Sequence, residues 1–396
     1  MSSPMTPSSA IYPSRPVDSW RAWLDVDVAA VRRNAARLRA VAGVPLVAMV
    51  KADGYGTGML DVVRALGTPW QEIPAVDAPS TPWALGVATV QEAAELRSAG
   101  STARVLCTTP LTPAELSEAA SLHITPALHR GEDIARWVAL GGGPWHLSID
   151  TGMSRAGGRW DTVASLADIL RRHPPEGVFT HFHSADLPNG SREGQEARFD
   201  AAIATLSPVL SPNVLIHSDN SAALAARGSA RGQLARPGIG LYGAVVAHAL
   251  GLEQVVHLRA RVIDLRDVHD GETVSYGATW HAAGTRRIAT VALGHGDGYR
   301  QAFSNRGEAL LHGQRVPVVG IVSMDMTMLD VTDLQDRVAI GDVATLVGRD
   351  GAHCLSTDAV AAERGLSPYE LLVGLRLRVP RRAMESAAPQ AAEGLA

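Results

Sequence analysis

VPLVAMVKADGYG, residues 44–56, is an apolar run of strand length that ends abruptly on a lysine and a glycine-containing turn. A strand buried on both faces reads as such a continuous apolar run rather than as an alternation, which points to a parallel sheet. Runs of the same kind recur as WALGVA (83–88), ARVLCT (103–108), ITPAL (124–128), WHLSID (145–150), GVFTHF (177–182), NVLIHS (213–218) and QLARPGIGLYG (233–243). Between them lie segments of helical composition, such as TVQEAAELRSAG (89–100), TPAELSEAASL (112–122) and DTVASLADILRR (161–172). These begin on Thr or Asp, which suit N-caps, and space their apolar residues by three and four. Eight such alternations predict an α/β fold, an N-terminal (β/α)8 TIM barrel over residues 20–254.

Beyond Val255 the texture changes to VVHLRARVIDLRDV (255–268), RRIATVALG (286–294), RVPVVGIVSMDMTMLDV (315–331) and VATLVG (343–348), separated by Gly, Asp and Asn. Crossover helices are missing here, so residues 255–382 read as a second, mainly β domain with one helical stretch near 356–375. The Ser/Pro-rich residues 1–19 and the Ala-rich residues 383–396 read as a disordered arm and tail.

The chain has 396 residues, is 46% hydrophobic and carries a formal net charge of -4 spread along its length. No basic stripe points to nucleic acid or to a membrane surface, so small-molecule chemistry is the expectation. Cys107 and Cys354 are far apart and in no metal-ligand spacing, and the N-terminus has no charged head before an apolar core. These features predict no metal site, no disulfide framework and a cytoplasmic location.

Barrel enzymes set their reactive groups at the C-terminal ends of the strands. There the chain places Lys51, Arg155, His181, His183, His217, Asn220 and Ser221, while Arg236 sits within the last run. Lys51 is the only lysine in the chain. Burying an ammonium is expensive unless it is paired or neutralised, and condensation with an aldehyde removes that expense. Pyridoxal 5'-phosphate is the cofactor that needs such an anchor together with a polar partner for its ring nitrogen, and Arg236 is the candidate partner. The loops SDNSAA and RPGIGLYG, after the last two runs, offer small residues and a hydroxyl to an anion.

The motifs AMVKADGYGTG, DTGMSRAG, FTHF, HSDNSAA, RPGIGLYG, VSYGATW, GDGY, SMDM and RVPRR, in this order, closely resemble those of the alanine racemase family over nearly all of residues 20–382. The resemblance implies a fold-type III pyridoxal-phosphate enzyme that is a homodimer with active sites shared between subunits, acts on a small amino acid and makes D-alanine for the cell wall. It implies that Lys51 holds the cofactor and serves as one base, and that Tyr276 is the other, given by the partner. It further assigns Tyr55, Asn220, Ser221, Gly238, Ile239 and Tyr369 to the phosphate, and His181, linked to Arg236, to the cofactor face. Arg155 would hold the substrate carboxylate, with Met324 adding its backbone from the partner. Tyr276 needs cationic surroundings to act as a base near neutral pH, which His181 and Arg236 would supply.

Some positions depart from the family pattern. Ser148 stands where many members carry a carbamylated lysine, and Asp53, Gly54, Thr57, His183, Asp219, His295 and Ser323 are unusual. These changes leave room for a racemase of another small amino acid, such as serine. A decarboxylase on the same plan would bring a glycine-rich phosphate loop and a cysteine motif that are missing here. A cofactor-carrying barrel protein would lack the second domain.

Overall fold

The computed structural model describes residues 17–69 and 78–386. Most of the expected arm and tail therefore lies outside the described residues. Chain contacts divide the molecule into two compact units, one holding Val31–Gly54 and Met59–Glu253, the other the remaining described residues.

The first unit is built on a parallel sheet whose strands follow one another in chain order: Val47–Met49, Ala84–Val87, Val105–Cys107, Thr125–Leu128, His146–Asp150, Gly177–Phe179 and Leu215–His217. All but the last are buried nearly throughout, which is why their sequences run apolar without alternating. The eighth run forms no regular strand. It instead joins the two ends of the curled sheet: Gln233 N–H donates to the Ile216 carbonyl (2.8 Å), Ala235 N–H to Pro45 (3.2 Å), and Val47 N–H to Ala235 (2.7 Å). Pro237 has no N–H with which to extend this ladder, and the chain turns at once into the short 3-10 segment Ile239–Tyr242.

Two of the expected helices start as the sequence dictates. Thr89 caps Val90–Ser98 and Thr112 caps Pro113–Ser121, each in a reciprocal capping box with the glutamate three residues on, Glu92 and Glu115. The third breaks into a 3-10 piece, Val163–Leu166, and the short helix Ala167–Arg172, for Thr162 makes no side-chain cap.

The second unit centres on the 13-residue strand Val256–Val268, which pairs with Ala22–Asp27, Arg286–Val291 and Val343–Asp350. Val268, Val274, Ala282, Ile288 and Val319 close one of its cores. Ala22–Asp27 thus belongs to this sheet, although the sequence reading places residues 20–254 in the barrel. Its partner lies more than 200 residues away, and nothing local announces the pairing. Ala383 and Met384, read as tail, form the end of the strand Arg381–Met384 and align with Val26 and Asp27. Val17–Ser19, read as arm, form a 3-10 turn. The expected helical stretch is two short helices, Thr357–Ala362 and Pro368–Val373.

Candidate active site

Lys51 follows the strand Val47–Met49 at one residue's distance and begins the helical segment Lys51–Gly56. That segment is left-handed: φ is 52° at Ala52, 54° at Asp53, 61° at Gly54, 56° at Tyr55 and 81° at Gly56. Each non-glycine residue there is strained by roughly 1–2 kcal/mol, and such strain persists only where neighbours enforce it. Gly54 N–H donates to Val50 (2.8 Å), Ala52 N–H to the Glu92 carboxylate (2.6 Å), and Met59 N–H to Asp53 (2.8 Å). Glu92 also accepts from Ala88 N–H (2.7 Å), so the cap of the helix Val90–Ser98 fixes the lysine turn. Sequence reading does not single out Glu92. Burial holds the Lys51 amine below its ordinary pKa, the Arg155 charge adds to this, and Glu92 opposes it.

Arg236 is 4% exposed, with its guanidinium held on neutral acceptors: His217 Nδ1 (2.7 Å), the Thr180 carbonyl (2.6 Å) and the Ser218 carbonyl (3.0 Å). It lies 5.0 Å over the Phe179 ring. These contacts set two tautomers. His217 Nδ1 accepts from Arg236, so its Nε2 carries the proton and donates to His146 Nδ1 at 2.8 Å. His146 Nε2–H then faces Glu176 at 3.4 Å, and Glu176 is clamped by Arg104 at 2.6 and 2.8 Å. A polar chain thus crosses the barrel interior from Arg236 to Glu176. The sequence flags His217 after one strand and Arg236 within the last, but it gives no signal for His146 or Glu176. Burial lowers the Arg236 pKa to about 10, with Asp219 opposing, so the group is a cation at neutral pH.

His181 does not pair with Arg236 by hydrogen bond; His217 does. Burial, then the charges of Arg236, Arg155 and Lys51, push the His181 imidazole down to about 3. It is therefore neutral, and the cationic role assigned to it jointly with Arg236 falls to the arginine alone. Arg155 is exposed on a turn where Asp150 receives the N–H groups of Gly152 (2.9 Å) and Ser154 (3.1 Å). Ser148 is buried two residues before that turn. Gln195 ties the surrounding loops by donating to Thr151 (3.2 Å) and the His181 carbonyl (3.1 Å) and accepting from His183 N–H (3.0 Å). Nothing in the sequence singles it out.

Residues expected at the phosphate meet in the same unit. Buried Ser221 accepts N–H groups from Gly238 (3.0 Å) and Gly240 (3.2 Å), which leaves its own hydroxyl proton to donate. Asn220 caps the helix Ser221–Arg227 through Ala223 N–H (2.9 Å), and Ile239 follows Gly238 into the 3-10 turn. A side chain at Gly240 would crowd Ser221 Oγ to 3.2 Å, so the close approach depends on glycine.

In the second unit Tyr55 and Tyr369 stand together, ring centroids 6.1 Å apart. Burial and Tyr369 raise the Tyr55 pKa, so its hydroxyl is a neutral donor. Gly56 lies so close to the helix Pro368–Val373 that a Cβ would sit 2.4 Å from the Leu372 carbonyl. Tyr276 is 71% exposed and Met324 59%. Their turns are nonetheless braced: Ser275 donates to Ile321 (2.6 Å), and the Met324 carbonyl accepts from Gly296 N–H (2.8 Å) and Arg378 (3.2 Å). Met324 and Met326 face outward rather than packing inside a strand.

Among the described residues no helix is long and apolar enough to cross a membrane. Residues 26–246 match the family model for the alanine racemase N-terminal domain, and residues 255–383 that for the C-terminal domain. An alanine racemase of Deinococcus radiodurans is 37% identical over 368 residues, covering 91% of this chain and 99% of its own. One from Synechocystis is 33% identical over 380 residues, covering 91% and 98%. Among solved structures, alanine racemase from Streptomyces coelicolor superposes with a TM-score of 0.83 at 29% identity, covering 93% of this chain and 99% of its own.

Proposed function

The chain belongs to the alanine racemase family, and from that premise we propose that it interconverts L-alanine and D-alanine with pyridoxal 5'-phosphate held on Lys51. The observation that carries this reading is the lysine itself: the only one in the chain, half-buried at a strand end, on a strained turn, with a depressed pKa. The donors present fit the cofactor. In one unit the Ser221 hydroxyl keeps its proton to donate to a phosphate and Arg236 suits the ring nitrogen; in the other, Tyr55 is a neutral hydroxyl donor. When bound, the cofactor supplies the aldehyde and an electron-withdrawing ring that acidifies the substrate Cα–H.

Racemisation removes a proton from one face of Cα and returns one to the other. Lys51, its amine held below the usual pKa, exchanges the proton on the D side. Tyr276 of the partner subunit exchanges it on the L side, and its exposure of 71% leaves it available to a second copy. Arg155 binds the substrate carboxylate bidentately, beside the backbone of Met324 of the partner subunit. Arg236 is a cation that gives its proton up only near pH 10, so it offers the ring nitrogen a hydrogen bond but no proton at neutral pH. With the cofactor bound, such a partner would leave its ring a weaker electron store, which would favour prompt return of the proton to Cα. The enzyme works in the cytoplasm as a shared-site homodimer and supplies D-alanine to the cell wall.

The test is a panel of L-amino acids offered to the purified protein with and without pyridoxal phosphate, following optical rotation. Alanine should lose its rotation fastest, and only with cofactor present. Faster loss with serine would change the substrate, and no loss with any amino acid would end the proposal.

A further inference from the structure

Beside the polar chain that starts at Arg236 lies a carboxylate that the proposed mechanism leaves unused. Asp219 is fully buried between the strand Leu215–His217 and the helix Ser221–Arg227. Its Oδ2 accepts the N–H of Arg231 (2.6 Å) and the hydroxyl of Ser218 (3.4 Å). Its Oδ1 makes no hydrogen bond, and Arg227 Nε, 3.9 Å away, makes none either.

The surrounding arginines have other carboxylates. Arg227 bonds to Glu196 and Arg231 to Asp200. Arg236 is different, because each acceptor on its guanidinium is neutral. A buried guanidinium without a counter-charge is unstable. The backbone sets Asp219 beside it: Arg236 N–H donates to the Asp219 carbonyl at 2.8 Å, and the Ser218 carbonyl takes a guanidinium N–H. The Asp219 charge works against burial at Arg236. Position 219 is also one where this chain departs from the family motif.

We propose that Asp219 is the buried counter-charge of Arg236, a positioning residue that keeps the guanidinium charged and in place for the ring nitrogen of the cofactor. This rests on Arg236 being the ring-nitrogen partner.

The experiment compares two ligands on the same protein: pyridoxal phosphate, and its analogue with the ring nitrogen replaced by C–H, which keeps the aldehyde and the phosphate. Binding to the apo-protein is read by fluorescence titration. Asp219→Asn should weaken pyridoxal phosphate about tenfold while changing the analogue by less than about twofold, the size expected for losing charge assistance from one hydrogen bond. Equal weakening of both ligands would mark Asp219 as merely structural, and no weakening of either would also overturn the proposal. Asp219→Glu keeps the charge but moves it, and should reduce the preference for pyridoxal phosphate by an intermediate amount. An unchanged preference in that variant would overturn the proposal even if Asp219→Asn did not fold. Arg236→Gln separates the two claims. If it leaves the preference intact, the ring-nitrogen assignment fails and takes this proposal with it; if it abolishes the preference while Asp219→Asn does not, only the role of Asp219 falls.

Discussion

At the rim of the parallel sheet, Arg236 is 4% exposed and its guanidinium is held by His217, Thr180 and Ser218, whereas in the β unit Tyr276 is 71% exposed on a turn braced by the Ser275 hydroxyl against the Ile321 carbonyl. The first arrangement is finished within one chain: burial and neighbouring charges have already set the protonation of Arg236 and His181. The second has a fixed backbone and an uncovered side chain. Pre-organisation in the barrel therefore concerns charge, and in the β unit it concerns position. The β turns leave Tyr276 and Met324 exposed.

The contrast can be broken most severely at Lys51. Lys51→Ala should lower racemisation by roughly three orders of magnitude or more, the range of a lost acid–base group combined with a lost anchor. Borohydride reduction of the wild-type holoenzyme should fix one pyridoxyl group per chain, on the peptide containing Lys51. Because the chain has no other lysine, an unlabelled protein would remove the anchor from the account.

A smaller effect is expected at Arg155, which is exposed where Arg236 is buried. Arg155→Lys should raise KM for alanine by about tenfold while changing kcat less, because an ammonium does not reproduce the bidentate fork. A fall in kcat with KM unchanged would move Arg155 from substrate binding to the chemical step. Ser148 cannot form a carbamate, so activity should not respond to bicarbonate, and a clear response would contradict carbamate-free positioning of Arg155.

The smallest effect concerns stability against pH. In the β unit, burial and the Arg259 charge push His257 down to about 4, and its Nδ1 accepts Arg349 N–H at 3.0 Å. The unfolded chain takes that proton near pH 6.5, so the stability contributed by the neutral imidazole is complete above 6.5 and is lost as pH falls toward 4. Melting curves of the apo-protein from pH 7 to 4 should fall less steeply for His257→Gln than for wild type. Parallel curves would show that His257 is protonated without penalty.

The same contrast explains how far the sequence reaches. Seven parallel strands were legible because burial on both faces leaves an apolar run with a polar residue at its end, and that end is where Lys51, Arg155 and His217 stand. The eighth was legible in place but not in form, since Pro237 accepts from Met49 N–H at 3.0 Å but has no N–H to donate, and the chain turns at Ile239 into a 3-10 segment. Ala22–Asp27 was misplaced because its sheet is decided by Val256–Val268, far along the chain. Arg236 could be named from its position. Its chain through His217 and His146 to Glu176 could not, because it depends on which side chains neighbouring strands align inside the barrel. Glu92 and Gln195 were hidden for a related reason: an ordinary cap and an ordinary helix residue acquire their roles only when remote loops arrive beside them.

Mixing two inactive proteins tests most directly whether Lys51 and Tyr276 meet across subunits. Lys51→Ala and Tyr276→Phe should each be nearly inactive alone, since every site has lost one base. After random exchange in a two-fold dimer, about half of the dimers are hybrids, and each hybrid has one site with both groups intact and one with neither. The account predicts recovery of about a quarter of the wild-type activity once exchange has been verified by mass-tagged subunits. No recovery with exchange verified would place both groups in a single subunit's site and contradict it.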